Sequence, residues 1–369
     1  MANSHVTHRR SGLDGADLRL IGICLVAALA TFLVRLVDVG DVVPFLVSAV
    51  ALALLAALVG RSVEALGDRL GAGLTGVVQS ALGNLPELFV ALFALQAGLI
   101  PVVQAAVVGS ILANVLLVLG LAFTVGGLRH GTQRIGTGPA RMLGLMLMLS
   151  VAALLVPALT AALHTPAEGH ELGLSRIVSV VLLALFLLSL PAAIRRDRPA
   201  QPQPDGTQAG EPEHGGSRWP LGLAIGMLAA TGVAAAFVSD WFVDALEPAI
   251  ETLHISQTFA GLVIVAIAGN AVENVAGIQL AARNRPDYAL SLILQSPVQI
   301  ALVLAPVLVL GAPLVGATFT LVLPPLLIAT LVLAVLVTVI VVFDGESNWF
   351  EGVTLIALYG IIATAFWWG

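Results

Sequence analysis

Eleven apolar runs constrain this chain more than any other feature of it. They lie at about 18–37, 42–60, 74–96, 102–125, 140–162, 174–194, 219–239, 256–282, 288–310, 314–343 and 351–368. Each is close to the roughly 20 residues that an α-helix needs to cross the hydrocarbon core of a bilayer. Only 10% of the residues are charged and mean hydropathy is +1.02, whereas a soluble domain carries about 25% charged residues. The chain therefore reads as an all-α polytopic membrane protein of about 11 transmembrane helices. Its first apolar run, behind Arg9, Arg10 and Arg19, is too long for a signal-peptide core and is read as a retained span. The single cysteine, Cys24, excludes an internal disulfide framework and gives no thiolate metal site. The net charge of −6 is spread along the chain and implies no nucleic-acid partner.

Arginine placement orients the spans. With the N-terminus cytoplasmic, 14 of the 16 arginines fall in cytoplasmic segments and only Arg35 and Arg176 lie outside, the bias the positive-inside rule asks for. The C-terminus is then external. The outer loops lean acidic, with Asp240, Asp244, Glu247 and Glu251 predicted to follow the seventh span. A Pro-, Gly- and charge-rich stretch at 195–218 reads as a cytoplasmic linker. It divides the chain into an N-terminal tail with an extra helix (1–40), a first five-helix repeat (41–194), the linker, and a second five-helix repeat (219–369).

The third span carries Gly83-Asn84-Leu85-Pro86-Glu87, and the eighth carries Gly269-Asn270-Ala271-Val272-Glu273, 186 residues later. A carboxylate near the middle of a span is costly, by about 2.5–3.5 kcal/mol on insertion scales. Gly83, Pro86 and Gly269 are predicted as helix-break positions, which at that depth must face protein or a wet cavity. The two copies are five spans apart, so they cross in opposite directions. That is an inverted-topology repeat, in which interrupted helices meet at a midplane substrate site. The same offset relates Ser110 to Ser296, and Asn114 has a near counterpart in Gln299.

Carboxylate, amide and hydroxyl oxygens suit a hard cation such as Ca²⁺, which takes six to eight of them. The candidate cation- and proton-binding set is Glu87, Glu273, Asn84, Asn270, Ser110, Ser296, Gln299 and Asn114, with Glu87 and Glu273 as the metal-binding carboxylates. The serines and the paired amides can equally be glue between helices. Glu64, at the inner end of the second span, is a candidate gate or proton relay, and a solvated helix end is its plainer reading. Two carboxylates close together in a low-dielectric cavity need neutralising, either by a divalent cation or by protons. The two states exclude each other, which is the requirement for exchange through one site.

These residues resemble a known family. Gly83-Asn84, Glu87-Leu88, Gln104-Ala105, Gly109-Ser110-Ile111-Leu112-Ala113-Asn114 and Leu117-Val118-Leu119-Gly120 are similar to the first repeat of calcium/proton antiporters. Gly269-Asn270-Ala271, Glu273, Asn284, Ser296 and Gln299-Ile300 are similar to the second, and 344–352 is similar to a signature near the C-terminus. The chain departs from the family pattern at Leu85-Pro86, at Asn274 where histidine is common, and at Gln295 where glycine is common. The resemblance implies the cation/calcium exchanger fold, a ten-helix core plus one extra helix.

The expected function is secondary active transport: export of Ca²⁺ or a related cation in exchange for H⁺, by alternating access, with no cofactor and no enzymatic activity. Sodium-driven calcium exchange and Na⁺(K⁺)/H⁺ antiport are the alternatives, and an intramembrane acid–base enzyme is the least favoured. The expected location is the plasma membrane, multi-pass and surrounded by lipid, as in a bacterial inner membrane; oligomeric state is left open.

Overall fold

The computed structural model describes residues 12–37, 39–70, 82–166, 168–196 and 219–368. The first part of the third predicted span (74–81) and the linker from residue 197 on lie outside these. Among the described residues the helices are α1 (Gly15–Val34), α2 (Val42–Leu70), α3 (Leu85–Gln96), α4 (Ile100–His130), α5 (Thr137–Ala162) and α6 (Glu171–Arg196). After the linker come α7 (Leu221–Leu253), α8 (257–282), α9 (Pro286–Val315), α10 (Pro325–Phe343) and α11 (Trp349–Ala365). Each of the eleven apolar runs thus has a helix. Eight helices are long and apolar enough to cross a membrane alone, α8 does so as a bent pair, and α3 and α11 are shorter apolar helices.

Two predicted boundaries are wrong for a physical reason. The tenth span does not run as a helix from 314 but begins at Pro325. Pro324 caps α10 and Pro325 is its first residue, where proline's missing N–H is no loss. The non-helical stretch before it is held by Gln104 Nε2 donating to the Val322 carbonyl (2.7 Å) and Leu321 N donating to Ser175 Oγ (3.0 Å). The seventh span is longer than expected. At 33 residues α7 is about 50 Å long against a core of about 30 Å. Asp240, Asp244, Glu247 and Glu251 therefore ride on its last turns rather than in a loop.

Contacts at the helix ends sort the connections onto two faces. On one, buried Asp17 accepts hydrogen bonds from Arg61 Nε (3.1 Å) and Trp219 Nε1 (2.7 Å), joining the start of α1, the end of α2 and the start of α7. The same face carries a two-stranded antiparallel pair, β1 (Gln133–Arg134) with β2 (Glu346–Ser347). Buried Gln133 also donates to Asn284 Oδ1 at 2.9 Å, joining the α4–α5 and α8–α9 connections. On the other face Arg35 pairs with Asp244 (3.0 Å), Thr252 donates to Asp41 (2.8 Å) and Ser256 N donates to the Trp367 carbonyl (3.1 Å). α3 therefore runs toward the second face and α8 toward the first, the opposed crossings of an inverted repeat.

α4 and α9, equivalent helices of the two repeats, form the centre. The best apolar window of α4 is 89% buried and that of α9 61%, against 17% for α1 and α6, whose apolar sides are left largely uncovered. α4 and α8 cross so closely that a β-carbon at Gly109 would overlap the Leu262 backbone and one at Gly261 would overlap the Val102 carbonyl. Small residues at such a crossing let backbones approach where lipid gives no hydrophobic drive. The 344–352 segment serves packing: Asn348 and Glu351 form the expected capping box of α11, and Gly352 lies against Gly120 and Thr124 of α4.

Candidate functional site

The site begins where α3 begins. Gly83 and Asn84 form a turn, Leu85 is the first helical residue, and Pro86 occupies the opening turn. Gly83 thus lies at the break, whereas Pro86 starts the new helix rather than interrupting one. Glu87 sits in that first turn, where the positive end of the helix dipole favours a carboxylate. It is 9% exposed. Asn84 is equally buried, its side chain does not cap the helix, and its Nδ2 has no hydrogen-bond partner among the described residues.

Opposite Glu87 stands α8. Gly269 lies on the helical stretch Ala266–Ala282, two residues before the end of its first straight portion. Its value is absence of bulk: a β-carbon there would lie 2.6 Å from Glu87 Cγ and 2.8 Å from Oε1. The axis of α8 does turn, by 66°, but between its 257–271 and 274–282 portions. Glu273 lies at that bend, and its side chain lies outside the described residues.

Five predicted residues from both repeats meet in one buried network. Asn270 Nδ2 donates to Glu87 Oε1 and to the Ala266 carbonyl (3.1 Å), and lies 3.2 Å from Ser110 Oγ. Ser110 Oγ is 3.4 Å from Glu87 Oε1. Ser296 Oγ donates to Asn270 Oδ1 at 3.1 Å, and Asn114 Nδ2 lies 2.8 Å from the Ser110 carbonyl and 3.4 Å from Ser296 Oγ. The chain's duplicated polar set therefore closes on itself across the repeat boundary. Gln299 is buried at the last α-helical residue before an irregular turn of α9. Asn274, not among the predicted residues, is buried one helical turn beyond Asn270, and its Oδ1 has no hydrogen-bond partner among the described residues.

Glu64 stands apart from this network. It is mostly exposed and paired with Arg61 at 3.0 Å, at the end of α2. Its surroundings are those of a solvated helix end.

Three π-helical turns, which no sequence spacing predicted, surround the network: Ala113–Val118 in α4, Ala260–Val265 in α8 and Ile300–Leu304 in α9. The first and third are related by the repeat offset of 186 residues to within a residue. π-Turns release carbonyls from the regular ladder and often mark functional sites. Thr338 Oγ1 of α10, which donates to the Ala334 carbonyl at 2.8 Å, lies 3.2 Å from the carbonyl of Val115 in the first of these turns. The only trace in the sequence is the change from Ser110/Asn114 at i,i+4 to Ser296/Gln299 at i,i+3, just where these turns start.

No group of three or more His, Cys, Asp or Glu side chains is close enough to hold a metal ion among the described residues. A cation here would be met by few carboxylates and several neutral oxygens. The profile of the family described as sodium/calcium exchanger protein matches residues 41–195 and 223–368. The chain belongs to that family. It is 32% identical to a Ca²⁺/H⁺ antiporter of Synechocystis over 89% of this chain and 91% of the relative. It is 33% identical to the Ca²⁺/H⁺ antiporter ChaA of Bacillus subtilis over 87% of this chain and 91% of the relative. The solved exchanger YfkE, described as a Ca²⁺/H⁺ antiporter, superposes with a TM-score of 0.78 at 29% identity, covering 95% of this chain and 99% of its own. The inverted five-helix repeats and the extra first helix are thus an exchanger fold, and Glu87 and Asn270 face each other across its repeat boundary.

Proposed function

We propose that this exchanger moves Ca²⁺ against H⁺ through one alternating-access site shared by its two repeats. The observation that carries the reading is the Glu87 carboxylate, buried at a helix start and held by Asn270 and Ser110 from opposite halves of the chain. In the structure its oxygen accepts from N–H and O–H donors. A divalent cation arriving at Glu87 would displace those donors and meet the hydroxyl and amide oxygens of Ser110, Ser296, Asn270 and Asn114. Glu273, at the bend of α8, is assigned as the second carboxylate. Neutral oxygens in the majority suit a transported ion, which must bind well enough to enter and weakly enough to leave.

Protons enter the same scheme at the same atoms. Protonation of Glu87 removes the charge that holds the cation, so cation-loaded and proton-loaded states exclude each other. Movement between them is assigned to α1, α2 and α7 against the α4–α9 centre. The chain is a transporter rather than an enzyme. The arginine bias supports a cytoplasmic Asp17–Arg61–Trp219 face in a plasma-membrane protein, with residues 195–218 taken as the link between repeats 41–194 and 219–369.

The test is Ca²⁺ uptake into proteoliposomes under an imposed pH gradient and, separately, an imposed Na⁺ gradient. Uptake driven by the pH gradient and indifferent to Na⁺ is expected. Uptake that needs Na⁺ and ignores the pH gradient would replace H⁺ by Na⁺ as the counter-ion.

A further inference from the structure

A narrow cavity of about 20 Å³ touches Glu87 and Ser110 and runs along the angle between α3 and α4 toward the turn at 97–99 that joins them. Apart from those two residues its walls are apolar. Val265 and Leu304, the last residues of two of the π-turns, close it on one side, and Ala106 and Val107 of α4 close it on another. We propose that this cavity is a water site that delivers protons to Glu87 and bars metal ions from approaching by the same route. The proposal rests on the antiport reading and deepens it by giving the counter-ion a path of its own.

The size and chemistry of the cavity both point there. A water needs roughly 10–15 Å³ and two to four polar partners. The Glu87 carboxylate and the Ser110 hydroxyl supply two partners at the inner end. A calcium ion needs six to eight oxygens, and the valine, leucine and alanine walls offer none. A hydrated ion is too large for the space, and a bare one would have nothing to replace its hydration shell. A proton needs only a water at the carboxylate and a transient file of waters behind it. Val265 and Leu304, each ending a π-turn, add to this apolar wall.

The experiment uses the full chain in proteoliposomes, with few protons available on the 97–99 face so that their arrival limits the rate. Ala106→Val should narrow the cavity and slow Ca²⁺ exchange several-fold, with the half-saturating Ca²⁺ concentration unchanged and a larger solvent deuterium effect. Val107→Thr, nearly isosteric, gives the water a third partner and should speed exchange under the same limitation. The second variant carries the test alone should the first not reconstitute. A rate equal to wild type in either variant overturns the proposal, as does slowing without a larger deuterium effect. If wild-type exchange ignores the pH gradient, it is the antiport reading that fails; if wild type responds and the variants do not differ from it, only the cavity assignment fails.

Discussion

Gly269 and Glu87, 182 residues apart, touch so closely that the α-carbon of one leaves room for the carboxylate of the other and for nothing larger. A β-carbon at Gly269 would come within 2.8 Å of Glu87 Oε1. Gly269→Ala is accordingly expected to push the carboxylate off Asn270 and Ser110. A displacement of about 1 Å in such a site can cost on the order of 100-fold in rate. Exchange should fall by about one to two orders of magnitude on that basis, while detergent melting and membrane insertion stay near wild type. Near-normal transport by this variant would mean that the contact is not part of the site.

Protonation of Glu87 should compete with the cation. Ca²⁺ binding to the detergent-solubilised protein is expected to weaken as pH falls, because the protonated carboxyl no longer attracts a divalent ion. In Glu87→Gln the remaining binding should be weak and its pH dependence flatter. Isothermal titration at several pH values reads both, and an unchanged pH dependence in the variant would assign the proton to another group.

Asp17 fastens the extra helix to both repeats. Removing its carboxylate with Asp17→Ala takes away the oxygen to which buried Trp219 Nε1–H donates. Loss of a buried acceptor of this kind costs about 1–3 kcal/mol. Arg61 is 44% exposed, so its share of the loss is small, since solvent screens such pairs. The melting temperature in detergent should drop, with the pH-gradient dependence of transport retained in the surviving protein. An unchanged melting temperature would contradict the tether.

The α4–α8 crossing makes an independent stability prediction. Gly109→Val must part the helix from the Leu262 backbone, and overpacking of that kind costs typically about 1–3 kcal/mol. Because Ser110 is the next residue, loss of exchange should accompany the lowered melting temperature. Full stability of Gly109→Val would show that the helices are not in contact there.

Much of this arrangement is legible in the sequence, because lipid forces helices and apolar length marks them. The eleven runs, the opposed copies at Gly83–Glu87 and Gly269–Glu273, and the matched Ser110 and Ser296 follow from spacing alone. What spacing misses depends on three-dimensional fit. Pro86 reads as a breaker until it is seen in the opening turn of a helix that starts just after the turn at Gly83-Asn84. Gly269 reads as a breaker, and nothing in the spacing shows that the Glu87 carboxylate packs against its α-carbon. The π-turns insert one residue into a helix without altering its apolar pattern, so a hydropathy reading passes over them. In the sequence Asn274 stands out only as an asparagine where the resembled family commonly has histidine; its burial one turn from Asn270 depends on the packing of α8.

In the proposed exchange one site holds either a cation or protons, never both. Proton release on Ca²⁺ addition tests it most directly, measured in weakly buffered detergent solution for wild type and for Glu87→Gln/Glu273→Gln. Ca²⁺ should expel protons from wild type and none from the double variant. Saturable Ca²⁺ binding to wild type without proton release would contradict it.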